Sequence, residues 1–559
     1  MALINNFDPD DYPIVVAIDF GTTFSGCAYA YAPEDKDART ITSWPRQNVQ
    51  YAKTPTLNLY QEINREFKMV EWGWKSKLLM ESPAASKYTQ LYQYKPYLDE
   101  NVAMTPWREK VSVADAISDY LRALHEYAAD KILQEFGRSY SRKGFRYCLT
   151  VPAMWSDKAK DVMRKAAIRA GLITAADHPN RLTLVSEPEA AALYCEKACK
   201  QYDLGHGDRF MICDAGGGTV DLIVYEISST SQGRRLSEVT KGHGATCGSM
   251  FIDLNFGNLL IKKFESQGAK IPKNIIPAMV DTFAYNHKPQ FGEDDELYLA
   301  LPRDSFFDDI RDPKSIGIDG GFMSLKESEL KKVVFEPVVK QVLMLIQEQL
   351  NNAKQCSAIF MVGGFGSSNY LLKRVKQEFG SVVNTISAPN RPELAVVCGA
   401  VYAGLNPKMV TARITRRCYG TDANMDFEEG IDPERLKLRR PSGPLCTDRF
   451  STFVRKGQKV QVNECVTELY SFTKNKHGTT TYSTGIFAID GDPPRYIDDV
   501  GVSELAKISI SDPFTPSDPI GHKVSVEMKM YFGLNEIRTE IFVQGTKYIK
   551  QLKFDDRDY

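Results

Sequence analysis

Asp19-Phe20-Gly21-Thr22-Thr23 and Asp214-Ala215-Gly216-Gly217-Gly218-Thr219 are two versions of one turn, rich in glycine and threonine, with an aspartate at its base. Glycine lets the backbone bend and expose successive N–H groups, which form a nest for anions. The threonine hydroxyls add donors. The aspartate is placed to meet a divalent cation through water, because Mg²⁺ keeps much of its hydration shell. Either turn alone is equally an ordinary tight hairpin. The pair predicts two hairpins that grip a triphosphate from opposite sides.

Each turn needs a strand on either side. Ile14 to Ile18 and Phe210 to Cys213 are the short apolar runs before them, and Phe24 to Tyr31 and Val220 to Ile227 the runs after. A third signal is Ala358 to Ser368, an apolar run that ends in Gly363-Gly364-Phe365-Gly366 and leads into a helix over 369–379. Glycines there let backbone approach a ligand, and a helix start favours anions. The dinucleotide fingerprint fails, because Asn369 stands at the third glycine position, and no P-loop text occurs anywhere.

The rest of the chain must carry these turns. With 559 residues it is too long for one core, so two or more domains are expected. Its composition, 43% hydrophobic and 25% charged, is that of a folded globular protein. A formal net charge of −1 without a long basic run gives no sign of nucleic acid or an acidic membrane surface as the main partner. The 11 cysteines are scattered, with no disulfide or zinc spacing, and read as thiols of a reducing compartment. The polar, acidic start over residues 1–11 does not read as a signal peptide, and no apolar run reaches the roughly 20 residues of a membrane span. The expectation is a cytoplasmic protein, with nuclear entry left open.

Residues 14 to about 405 alternate strand-like and helix-like segments, an α/β pattern. Phe145 to Val151 and Ala358 to Val362 read as strands. A helix runs from Asp157 to about Ala170, with Ser156 placed to cap it and Gly171 to end it. Another opens after Glu187-Pro188, and its small residues Ala190, Ala191 and Ala192 permit close packing on a sheet. Residues 265–325, with Gly292-Glu293-Asp294-Asp295-Glu296, read as a peripheral subdomain, and Leu325 to Leu350 as helical again. After Asn406-Pro407 the composition shifts to Thr, Val, Ser, Tyr and Lys. Val524, Val526, Met528, Met530 and Phe532 alternate with polar or amphipathic residues, the period of a half-buried strand. A C-terminal all-β domain, a small sandwich, is expected over 407–559.

The order of these signals resembles that of the actin-like ATPase superfamily, and more closely the 70-kDa heat-shock protein family. The text that carries the resemblance is VVAIDFGTTFSG (15–26), CLTVPAMWSDKAKDVMRKAAIRAGL (148–172), LVSEPEAAALY (184–194), ICDAGGGTVDL (212–222) and IFMVGGFGSSNYL (359–371). The last of these and the short C-terminal region look most like the divergent heat-shock 70 kDa protein 12 branch, including its fungal relatives. The resemblance implies a two-lobed α/β ATPase domain of duplicated ribonuclease H-like build over 12–406, followed by the smaller all-β domain.

Site roles are carried over by the same resemblance. Asp19, Gly21, Thr22 and Thr23 match the first phosphate motif, and Asp214, Gly216, Gly217, Gly218 and Thr219 the second. Asp19 and Asp214 would hold the waters of Mg²⁺, and Glu187 would help order the metal shell and the attacking water. Lys95 is the candidate for a lysine near the γ-phosphate, where a compact ammonium stabilises charge; the alternative is a solvated surface lysine. Gly363, Gly364 and Gly366 match a backbone platform for adenine. Lys288 resembles a lysine that stacks on the base, and Glu393 stands where the family has an aspartate near this pocket; surface charge is the alternative for both. Val151-Pro152 matches a hinge-like position.

The resemblance implies ATP/ADP and Mg²⁺ as cofactors, slow ATP hydrolysis, and a client polypeptide or partner at the β domain. The junction GLNPKMVTARITRRCYGT (404–421) is basic where typical members have an apolar-acidic linker, and the helical lid and acidic tail are missing from the text. An ATP-binding adaptor without refolding activity is therefore the alternative. A metabolite kinase of the same superfamily is a weaker one, since no segment supplies an acceptor-hydroxyl site with a catalytic aspartate.

Overall fold

A computed structural model describes residues 7–551 of the chain, other than 49, 99–109, 138–139, 200, 232, 293–295, 441–442, 463, 475–480, 516, 533–535 and 545. The start over residues 1–6 and positions 293–295 of the acidic stretch thus lie outside the described residues. The fold is mixed α/β. It divides into two compact units: Met1–Met154, Ala166–Glu226 and His243–Pro407 form the first, and Trp155–Lys165, Ile227–Gly242 and Lys408–Tyr559 the second.

In the first unit one arrangement of strands occurs twice. Ile14–Asp19 pairs antiparallel with Phe24–Tyr31, in register from Ile14↔Tyr31 to Asp19↔Gly26, and parallel with Phe145–Val151 on its other side. Leu182–Ser186 adds a further parallel strand to Phe145–Val151. Arg209–Ala215 repeats the plan. It pairs antiparallel with Val220–Thr230, from Arg209↔Glu226 to Ala215↔Val220, and parallel with Ala358–Val362. Thr385–Ser387 then extends that sheet in parallel. The central strands of both sheets are fully buried, so they read as continuous apolar runs. Each buried Val, Ile or Phe contributes about 1.5–3 kcal/mol.

The helices follow the local signals. Asp157–Arg169 opens with Ser156 Oγ accepting the Ala159 N–H at 3.2 Å, and Gly171 beyond its end has φ +81°. Asn369–Phe379 is capped by Ser368 Oγ, which accepts the Leu371 N–H. Glu187–Cys199 begins at the expected Glu-Pro and buries Ala190, Ala191 and Ala192 completely. Those alanines allow a helix–helix approach as well as the expected sheet packing. A Cβ on Gly399 of Ala395–Leu405 would fall 1.7 Å from the Ala190 carbonyl oxygen. The segment after Gly268 carries a small sheet of Glu296–Ala300, Ile318–Asp319 and Phe322–Lys326, and Glu336–Ala353 is the long helix after it.

The second unit has two antiparallel sheets. Lys437–Leu438, Leu445–Val454, Cys418–Asp426, Thr481–Ile489 and Ser503–Ser511 form one in that order; Val466–Thr473, Lys523–Tyr531, Arg538–Val543 and Thr546–Gln551 form the other. Val524, Val526, Met528 and Met530 point from the second sheet into a core shared with Ile486, Ala488, Ile508 and Ile510 of the first. This is sandwich packing. The basic junction is ordered: Val410–Ile414 pairs parallel with Gly233–Glu238, and Glu238 Oε2 accepts the Ile414 N–H at 2.8 Å. Arg164 forks onto Glu536 at 2.7 and 2.5 Å, and Tyr419 Oη donates to Asp157 at 3.1 Å.

All 11 cysteines are free thiols, ten of them buried. Among the described residues no helix is long and apolar enough to cross a membrane.

Candidate functional site

The two glycine-threonine turns touch. A Cβ on Gly217 would fall 2.3 Å from Thr23 Oγ1, and one on Gly218 would fall 2.5 Å from Thr22 Oγ1. Only glycine fits at either place. The second turn is held from behind by the start of the helix Met250–Glu265: the N–H groups of Gly248, Ser249 and Met250 donate to the carbonyls of Gly218, Gly216 and Gly217 at 2.9–3.1 Å. In a trans peptide the N–H points opposite to the carbonyl. The N–H groups of Gly217, Gly218 and Thr219 therefore face away from that helix. Gly216 N–H closes the turn on the Thr219 carbonyl at 2.9 Å. The first turn is held by Thr56, whose Oγ1 donates to the Gly21 carbonyl at 2.8 Å and whose N–H donates to the Thr23 carbonyl at 2.9 Å.

Behind the turns lies a buried cluster of charge. Asp19, Glu187, Asp214 and Asp221 are all nearly inaccessible, as is Lys95. Lys95 Nζ donates to Glu187 Oε1 in a buried ion pair. Its place is set by the preceding Tyr94, which is buried, packs on Phe20 and donates to Asn58 Oδ1 at 3.2 Å. Lys95 is thus part of the cluster and not a solvated surface lysine. Glu187 sits where the strand Leu182–Ser186 passes into its helix. Gly363, at φ +82°, lets backbone reach the cluster: a Cβ there would fall 2.6 Å from Asp214 Oδ1. A Cβ on Gly366 would meet Met361, whereas Gly364 faces open space.

The carboxylates are not alike. Burial alone would raise Asp19, but Lys53 and then Lys95 overcome it and hold it below its usual range. Its Oδ2 accepts from Lys53 Nζ at 2.8 Å and its Oδ1 from Thr150 Oγ1 at 3.0 Å. Burial pushes Asp214 well up, and Glu187, Asp221 and Asp19 push it further. Burial likewise raises Glu187, against the pull of Lys95. Carboxylates that raise one another in a dry pocket mark a place for added positive charge. Their hard oxygen donors suit Mg²⁺. Among the described residues no three His, Cys, Asp or Glu side chains converge as a ready-made metal cluster.

Two expected residues stand apart from this cluster. Lys288 is tied to Asp253 of the helix Met250–Glu265, at 2.7 and 2.8 Å. Glu393 pairs with Arg391 at 3.2 Å. Three residues of the cluster escaped the sequence reading. Asp221 was visible in the text GGGTVD, two residues beyond Thr219, and its Oδ1 accepts the Ala153 N–H at 3.1 Å. Thr150 directly precedes Val151-Pro152. Lys53 carries no local signal: it reaches Asp19 only because Lys53–Pro55 pairs with the start of Phe24–Tyr31.

No protein-family model matches the chain. Among curated proteins, it is 24% identical over 630 residues to Heat shock 70 kDa protein 12A of Homo sapiens, covering 98% of this chain and 92% of that one. It is 25% identical over 619 residues to Heat shock 70 kDa protein 12B of Homo sapiens, covering 94% and 88%. It is also 24% identical over 531 residues to Chaperone protein DnaK of Carsonella ruddii (strain PV), covering 92% and 79%. The chain is thus similar along nearly the whole of both partners to the heat shock 70 kDa proteins 12A and 12B.

Proposed function

We propose that the protein binds ATP with Mg²⁺ between the two hairpins and hydrolyses it slowly. The observation that supports this best is the apposition of Thr22 and Thr23 with Gly218 and Gly217. In this reading backbone and hydroxyl donors from both hairpins serve one small volume. Asp19 and Asp214 at the hairpin bases, with Glu187 beside them, would meet the hydrated Mg²⁺, which supplies charge neutralisation for the phosphates. Lys95 supplies an ammonium beside Glu187, suited to the charge of a transferring phosphoryl group. Gly363 and Gly364 offer backbone to the nucleotide, and Lys288 and Glu393 are the side chains proposed for its base end. Hydrolysis is slow in this reading because Glu187, the candidate for ordering water, is engaged by Lys95.

Lobe closure around the nucleotide is proposed to bias the binding of a client polypeptide or protein partner by the C-terminal β domain, a hinge-type coupling. The basic junction over 404–421 favours a second reading, an ATP-binding adaptor without refolding activity. Calorimetric titration with ATP·Mg²⁺ tests the shared core of both readings: saturable one-to-one binding that is lost in Gly218→Val supports it, and no binding by the wild type overturns it. Stimulation of hydrolysis by unfolded peptides would favour the chaperone reading over the adaptor.

A further inference from the structure

The two hairpins match residue for residue by ladder register, and the match exposes a swap of charge. In the first, Asp19 pairs with Gly26, and Gly26 with Lys53 of the flanking strand. In the second, Asp214 pairs with Asp221, and Asp221 with Gly244 of the flanking strand His243–Ala245. Directly opposed residues put their side chains on the same face of a sheet. The first row therefore reads Asp-Gly-Lys and is formally neutral; the second reads Asp-Asp-Gly and carries two negative charges.

The glycines make the swap possible. A Cβ on Gly26 would lie 3.3 Å from Lys53 Cγ, so the lysine stem crosses over Gly26 to reach Asp19. A Cβ on Gly244 would lie 3.1 Å from Asp221 Oδ1, so Gly244 leaves that carboxylate its space. Lys53, its side chain mostly buried, pairs with Asp19 at 2.8 Å. Among the described residues no lysine, arginine or histidine forms an ion pair with Asp214, which feels Lys53 only at longer range, and Lys95 pairs with Glu187.

The geometry points to a division of labour that rests on the nucleotide reading and replaces Asp19, proposed above to meet Mg²⁺, by Asp221. Lys53 is the resident cation of the first hairpin, and the divalent cation that accompanies a nucleotide is held from the second hairpin, by Asp214 and Asp221. An ammonium has three donors, and Asp19 takes one. The remaining two are available to phosphate oxygens, which makes Lys53 a phosphate-binding residue that needs no metal. Asp19 in turn is a positioning residue for Lys53.

The test is the affinity for ATP, by calorimetry, in excess Mg²⁺ and in EDTA, for the wild type and four variants of the full chain. The readout is the ratio of the two dissociation constants. Lys53→Met is expected to raise that ratio about tenfold or more over the wild type, since loss of a buried charge partner is felt most without metal. Lys53→Arg keeps the wild-type ratio. Asp214→Asn brings the ratio towards one, and Asp19→Asn does not. Circular dichroism checks each variant, and the two aspartate variants decide the matter if Lys53→Met does not fold. An unchanged ratio in folded Lys53→Met overturns the proposal, as does an equal fall in Asp19→Asn and Asp214→Asn. A wild type that binds ATP in neither condition removes the nucleotide reading itself, and the proposal with it.

Discussion

Thr22 of the first hairpin lies against Gly218 of the second, so closely that a single β-carbon on the glycine would fall 2.5 Å from the threonine hydroxyl. Two turns far apart in sequence thus meet without room for one methyl group. Gly218→Ala should force them apart. Overpacking of this kind costs about 1–3 kcal/mol. The expected outcome is a fall of a few degrees in melting temperature and a larger loss, tenfold or more, in ATP affinity. Thr22→Ser, which keeps the hydroxyl and removes the methyl, should keep most of both.

Gly399 meets Ala190 more closely still. Because the obstacle is a backbone carbonyl, no rotamer change relieves it. Gly399→Val should separate the helices Glu187–Cys199 and Ala395–Leu405 and displace Glu187 at the start of the first. Chemical denaturation should show a loss of at least about 2 kcal/mol, together with weakened binding of Mg²⁺-ATP. A variant as stable as the wild type would contradict the packing described here.

His125 predicts an acid limb in stability. It is buried, contacts Tyr147 Oη at 2.9 Å, and burial lowers its pKa to about 4, with Arg142 and Arg181 pushing the same way and Asp130 opposing. An unfolded histidine titrates near 6.5. The folded form therefore keeps His125 neutral while the unfolded form takes up a proton. Its contribution is complete above about pH 6.5 and is lost as pH falls through about 4, up to about 3 kcal/mol in all. His125→Gln should flatten the stability profile between those limits, whatever it does to stability at neutral pH.

Arg164 and Glu536 join segments of the second unit that are 372 positions apart in sequence, by a two-pronged ion pair that is mostly buried. Such forks are stronger than single contacts. Glu536→Gln should cost about 1–3 kcal/mol in denaturation of this unit. A double-mutant cycle with Arg164→Met should recover most of that loss, since the buried guanidinium then no longer lacks its partner.

Local signals in the sequence reach far into this structure, and non-local ones do not. The strands Phe145–Val151 and Ala358–Val362 and the two hairpins were legible because an apolar run and the turn beside it lie within a dozen residues. The cap at Ser156 and the stop at Gly171 were legible for the same reason. Lys53 was not, because its meaning depends on a strand pairing and on a partner 34 positions away. The resemblance named Lys95 and Glu187 separately; their ion pair, 92 positions apart, is a product of the fold. Lys288 shows the converse limit. A lysine beside an aromatic run suits a base-stacking role, yet the sequence could not show that Asp253 on a neighbouring helix holds its ammonium. The grouping of Trp155–Lys165 and Ile227–Gly242 with the β-rich unit was likewise invisible in composition, which shifts only after Pro407.

The central claim is that the two hairpins form one ATP site in which Lys95 serves hydrolysis. Single-turnover hydrolysis of bound ATP, measured with ATP affinity for the wild type and Lys95→Ala, tests it most directly. The account predicts slow turnover by the wild type, and a variant that still binds ATP but hydrolyses it at least about a hundredfold more slowly. Equal rates in the two proteins would contradict the role of Lys95, and a wild type that does not bind ATP would contradict the site.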